Sequence, residues 1–195
     1  MRNLSYTKRI LFISFIHFLV SVSIGFAQKA GTKSEAKKDA STNTAAKKEA
    51  LEWHTDLMKV YEISKKSKKP VFAFFTGSDW CGWCKKLQAD VFAKPEFISW
   101  AQKNVILLEL DYPRFKQLPP ELQQQNQSLQ QTFQIAGYPT IWMFNLTKMD
   151  TTNKFNIDAI GSLGYPQGAE LGNEQKKFLD DANRLMDAKK NAGVK

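Results

Sequence analysis

Thiols and imidazoles are scarce in this sequence. Its 195 residues include two cysteines, Cys81 and Cys84, and two histidines, His17 and His54. A structural zinc site wants four such ligands, so this stock argues against a zinc-held fold and against any chemistry that needs several imidazoles. No nicotinamide, flavin or metal motif is present either, and no cofactor is expected. An excess of positive charge is also less than it looks. Of the net +9, residues 1–30 carry +4 and residues 31–50 carry +2; the remaining 145 residues hold 19 basic and 16 acidic side chains, only +3. That is too little for a phosphate-tracking surface, and nucleic acid is not an expected partner. What the chain has is apolar bulk. Hydrophobic residues make up 43% and aromatics 12%, enough to fill the core of one domain and to exclude disorder of the whole chain.

The N-terminus has a basic start (Arg2, Lys8, Arg9), an apolar stretch from Ile10 to Ile24, and Gly25-Phe26-Ala27 before Gln28. Small residues three and one before a cut after Ala27 fit a signal-peptidase site. The apolar stretch is broken by Ser14, His17, Ser21 and Ser23 and falls short of the roughly 20 residues that span a bilayer. Residues 1–27 therefore read as a signal peptide, with an uncleaved anchor as the competing reading. The chain is expected to be exported, and periplasmic in a Gram-negative cell. Residues 28–50 are Lys, Ala, Ser and Thr with no large apolar side chain and read as a flexible linker, either a plain spacer or a segment drawn to an anionic surface. The folded domain is expected over residues 51–190, as a monomer, with a disordered tail at 191–195.

Within that domain Leu51, Trp53, Leu57, Val60, Tyr61 and Ile63 suit a helix ending near Ser67. Val71 to Phe75 is a continuous apolar run, as in a strand buried on both faces. Cys81 to Ala89 can form a helix that starts at or near the first cysteine. Val105 to Leu110 reads as a second strand, and Leu122, Leu129 and Phe133 mark a helix after Pro119-Pro120. Ile141 to Phe144 and Phe155 to Ile160 read as strands, the latter antiparallel, and Leu171 to Lys190 as a closing helix. Such alternation predicts an α/β fold: a central mixed sheet with helices on both faces.

The chemistry lies in Trp80-Cys81-Gly82-Trp83-Cys84. Residues three apart share a helical face, so the two cysteines can meet as a disulfide. At a helix start Cys81 meets unpaired amides and the positive end of the dipole, which favour a thiolate nucleophile. Cys84, one turn inside, is expected to be more buried. The mechanism these positions support is attack by Cys81 on a disulfide, a mixed disulfide, and release by Cys84. Two competing readings are a structural disulfide, which would close too small a loop to stabilise much, and a pair of inert thiols, disfavoured under oxidising conditions.

These residues resemble the thioredoxin superfamily over about residues 51–190. The carriers of the resemblance are the strand leading into Trp-Cys-x-x-Cys and the stretch Ile135-Ala136-Gly137-Tyr138-Pro139-Thr140 before an apolar strand, which looks like that family's cis-proline loop. The stretch Gly77 to Leu87 is similar to exported thioredoxin-like reductases, among them the C-terminal domain of the DsbD electron carrier and the DsbH proteins. The resemblance implies a thioredoxin-like fold and a thiol-disulfide oxidoreductase, most naturally a reductant of protein or peptide disulfides recharged by a membrane or soluble thiol donor. An oxidase or isomerase, or a redox-inert binding or chaperone module, are the alternatives. Cys81 would be the attacking thiol and Cys84 the resolving one. Trp80, Gly82 and Trp83 would support the site, and Tyr138, a cis Pro139 and Thr140 would face the substrate. Two departures stand out. Trp83 replaces the usual proline, as a substrate platform or as a shield for the thiol. Phe75 occupies the place of the family's buried acid, leaving Glu109 or Asp79 as candidate proton acceptors if they are not simply solvated. Lys85 and Lys86 could lower the thiol pKa or merely form a solvated face.

Overall fold

The computed structural model describes residues 51–149 and 154–193. The proposed signal peptide and linker lie outside the described residues. The core element is the strand Val71–Thr76, all six residues of which are buried. It is the second strand, β2, because a two-residue strand, β1, at Trp53–His54 precedes it. The others are β3, Ile106–Asp111, β4, Thr140–Lys148, and β5, Phe155–Leu163. The sheet order is β1-β3-β2-β4-β5. β3 runs parallel to both β1 and β2, whereas β4 is antiparallel to β2 and to β5. This is the mixed sheet that the apolar runs predict.

Alternation along β2 divides the core in two. Phe72 and Phe74 point into a cluster with Cys81, Cys84, Leu87, Phe92, Phe97 and Phe178. Val71, Ala73 and Phe75 point into one with Leu57, Val60, Leu108, Leu129 and Phe144. Helices α1 (Leu57–Ser67) and α4 (Pro120–Thr132) cover the second face. Helices α2 (Gly82–Leu87), α3 (Pro95–Asn104) and α5 (Glu174–Ala192) cover the first.

Four elements differ from the sequence reading. The first helix does not begin at Leu51, because Asp56 caps it: its carboxylate accepts the amides of Met58 (2.7 Å) and Lys59 (3.2 Å). The residues before the cap are thereby free to extend, and Trp53 and His54 pair with Leu107 and Leu108. The helix after the cysteines passes at Gln88 into a π-helical turn, Gln88–Phe92. α3 was not anticipated, although Pro95 at its first turn and the buried pair Phe97 and Ala101 are helix signals. At the C-terminus Leu171 is exposed and precedes the helix, which starts at Glu174.

Phe72 is the hub of the first cluster, with ring contacts to Trp53, Phe92, Phe97, Trp100 and Phe178. Phe72→Ala leaves a cavity that neighbours on four elements must fill. It is expected to cost about 3–5 kcal/mol, read as a lowered urea midpoint; a loss under about 1 kcal/mol would show that this cluster does not hold the fold.

Candidate active site

The chain leaves β2 at Thr76 and turns at once. Gly77 carbonyl oxygen accepts the amides of Trp80 (3.2 Å) and Cys81 (2.8 Å), and Cys81 becomes the N-cap of α2 with extended backbone. Its sulfur takes the place a cap hydroxyl would occupy, accepting the Cys84 amide at 3.1 Å. Cys81 and Cys84 are joined as a disulfide, with Cα atoms 5.3 Å apart. Cys81 is 4% exposed and Cys84 1%, so both sulfurs border the core and the cap cysteine is the outer one.

Gly77 is required by its neighbour. A Cβ there would lie 2.3 Å from the Trp80 indole, which packs over the glycine. The indole donates from Nε1 to Tyr112 carbonyl oxygen (2.8 Å), carries the Arg114 guanidinium over its face at 3.9 Å, and meets the Tyr138 ring nearly at right angles, 5.5 Å between centroids. Trp80 is thus the contact between the cysteine turn and the loop before β4. In that loop the Tyr138–Pro139 peptide is cis. Tyr138 hydroxyl oxygen accepts from Gln130 Nε2 (2.8 Å), and Thr140 Oγ1 donates to Gly137 carbonyl oxygen (2.8 Å). Thr140 opens β4 opposite Phe75.

Two carboxylates stitch the cysteine turn to the segment after β3. Asp111 accepts from Ser78 backbone N–H (2.8 Å), Ser78 Oγ (2.7 Å) and Lys116 Nζ (2.9 Å). Asp79 accepts the amides of Arg114 (3.0 Å) and Phe115 (2.8 Å). Desolvation opposes the charge on Asp79, but the Phe115 and Arg114 amides, with Lys116 nearby, outweigh it and hold the carboxyl below its usual range. A carboxylate so satisfied is a poor base, so Asp79 is a structural anchor rather than a proton acceptor.

Glu109 is placed differently. It pairs with Phe74 across β2 and β3, on the sheet face that carries the cysteine cluster. Burial, then the charge of Asp111, pushes its pKa up, with Lys116 opposing. Of the two candidates it is the one poised to take up a proton. Phe75 packs on the opposite face against Phe133 and Tyr112. Lys86 is not free to polarise the thiol: its Nζ sits 2.6 Å from Asp90 Oδ2, and that hydrogen bond raises its pKa. Lys85 is exposed. His54, next to the cluster residue Trp53 in β1, is buried with Nδ1 3.5 Å from Glu52 Oε1; strand alternation turns it to the other face.

Gly82 opens α2, and a Cβ on it would meet nothing within 4 Å. Trp83 is 55% exposed, so it presents an open indole face to solvent. Its one ring partner among the described residues is Tyr165, 5.1 Å away and edge-on. Tyr165, Asp90, Arg114, Asp111 and Gly77 were not singled out from the sequence. Each acts through a contact that only the fold creates, except Gly77, whose place directly after the apolar strand marked the turn.

Residues 57–148 match the thioredoxin-like domain family. Two curated relatives come from Chlamydia pneumoniae. The disulfide bond reductase DsbH is 36% identical over 91 residues, 47% of this chain and 54% of that protein. The thioredoxin-related protein DsbJ is 30% identical over 140 residues, 72% of this chain and 38% of that one. The chain therefore spans about half the length of the first and less of the second. Among solved structures, a DsbH oxidoreductase matches with a TM-score of 0.56 and 26% identity, covering 70% of this chain and 85% of that one.

Glu109→Gln tests the electrostatics. Because the fold favours the protonated acid, ionisation of Glu109 weakens the native state as pH rises from its ordinary value of 4.5 through the raised one. The variant should match the parent in urea midpoint below pH 4 and exceed it near pH 7.5; a gap independent of pH would place the carboxylate in solvent.

Proposed function

We propose that this thioredoxin-like protein is an exported dithiol reductant of protein or peptide disulfides. The observation that carries the reading is the position of Cys81, an N-cap whose sulfur accepts the Cys84 amide, across Trp80 from the cis-proline loop. In the reduced protein, Cys81 thiolate attacks one sulfur of a substrate disulfide and expels the other as a thiolate. Cys84, losing its proton, then attacks the Cys81 sulfur and expels the second substrate thiol. Two electrons pass to the substrate, and the Cys81–Cys84 disulfide forms. A membrane or soluble dithiol restores the pair by the same exchange in reverse. Pro139 and Thr140 would align the substrate backbone beside the sulfurs.

A reducing direction is supported by what surrounds Cys81. Strong oxidants owe their potential to a stabilised reduced form. Here Lys86 is matched by Asp90, Lys85 is in solvent, His54 faces away, and the Arg114 guanidinium is spent on the Trp80 ring, so the helix start is the main support for the thiolate. The name of the DsbH relative, a disulfide bond reductase, points the same way. Export follows from the character of residues 1–27, and a single chain is taken as the working unit.

With dithiothreitol as donor the protein should reduce insulin, and equilibration against glutathione should give a potential near that of thioredoxin, about −270 mV. A value near about −120 mV, that of a strong oxidant, would contradict the direction. Failure to reach any redox equilibrium would contradict the exchange reading itself.

A further inference from the structure

Trp83 lies between the two cysteines, yet more than half of its surface is in water. An indole offers one of the largest apolar surfaces of any side chain, together with a face that stacks on other rings. This one does not fill the core, but it is not loose either. Its edge-on neighbour Tyr165 comes from the segment after β5, and Tyr165 is itself fixed. The hydroxyl donates to Asp90 Oδ2 at 2.7 Å, Lys86 Nζ reaches the same oxygen at 2.6 Å, and the Lys86 ammonium lies over the Tyr165 ring at 5.4 Å. Asp90 is on the π-helical turn that follows α2, and Lys86 is on α2 itself. The helix that carries the dithiol therefore holds the tyrosine that braces Trp83.

Tyr165 packs against the core cluster that holds both cysteines, and Trp83 lies between them in sequence. Gly82, between Cys81 and Trp83, has free space where a side chain would be. Gly164, next to Tyr165, lies with its missing Cβ 3.9 Å from Pro139 carbonyl oxygen, so the Tyr165 segment runs beside the cis-proline loop. A substrate strand aligned by that loop would bring a residue adjacent to its cysteine over the indole. The charges at hand are already matched to each other, Lys86 with Asp90, and leave an apolar face as what the pair offers.

Building on the reductant reading, we propose that Trp83 and Tyr165 form a subsite for a bulky apolar or aromatic side chain next to the substrate cysteine. Tyr165 acts as a positioning residue locked by Asp90 and Lys86. The subsite selects among disulfides through binding, not through the exchange step.

Two disulfide peptides that differ only in the residue after cysteine, leucine or tryptophan against serine, test this. The parent should favour the apolar peptide in kcat/KM by about three- to tenfold, the range of one good aromatic contact, with the difference in KM. In Trp83→Ala the ratio should fall to near one. Tyr165→Phe, which keeps the ring and removes the bond to Asp90, should lie between, with Tyr165→Ala lower. A parent ratio of one, or a ratio unchanged in Trp83→Ala, overturns the proposal. The same discrimination should appear as a ratio of Kd values for S-methylated peptides on a Cys81→Ser/Cys84→Ser protein. That readout needs no electron transfer, so it separates failure of the subsite from failure of the reductant reading.

Discussion

The hydrogen bond from the Cys84 amide to the Cys81 sulfur is the contact on which the rest depends. It exists because the chain turns within five residues of leaving the most buried strand, so that the first cysteine caps a helix instead of lying inside it. That one placement gives the two sulfurs different surroundings, on which the proposed roles of attacker and resolver rest. Cys81 sits at the unpaired, positive end of the helix, whereas Cys84 is one turn in, against Leu87, Phe74 and Phe92. Gly77 makes the turn possible twice over: its carbonyl gathers the Trp80 and Cys81 amides, and its missing side chain leaves room for the Trp80 indole.

The surrounding polar groups hold this turn in place, and few of them remain for chemistry. Asp111 takes both donors of Ser78, and Asp79 takes two amides of the segment after β3. Trp80 is clamped between Tyr112, Arg114 and Tyr138. The turn is thereby tied to both β3 and the cis-proline loop, the two neighbours it needs if a substrate is to meet the sulfurs in one orientation. On the far side Tyr165, Asp90 and Lys86 do the same for Trp83. Glu109 is the exception, a half-buried carboxyl on the cysteine face whose charge burial disfavours.

Features carried by local pattern were legible in the sequence. The apolar run of β2, the Cys-x-x-Cys spacing and the Gly-Tyr-Pro-Thr loop each announce themselves within a few residues, and the alternation of helical and strand patterns predicts a mixed sheet with helices on both faces. Features carried by long-range contacts were not. Trp53 has helical spacing with Leu57, but the Asp56 cap and an open edge on β3 make it a strand. Asp79 reads like any acid beside a thiol until the backbone of Arg114 and Phe115 arrives to occupy it. Tyr165 belongs to an irregular segment between Gly164 and Pro166, and nothing near it in sequence reveals a partner more than eighty residues upstream. α3 is a different case, since Pro95 at its first turn and the spacing of Phe97 and Ala101 are local signals.

Under the proposed function, position on the helix, not identity, makes one cysteine attack and the other resolve. Covalent trapping tests it most directly. Cys84→Ser, reduced and mixed with a disulfide peptide, should accumulate a mixed disulfide on Cys81, because attack proceeds and release cannot. Cys81→Ser under the same conditions should capture almost none, since Cys84 is 1% exposed. Equal trapping by the two variants, or trapping at Cys84 alone, would contradict the account.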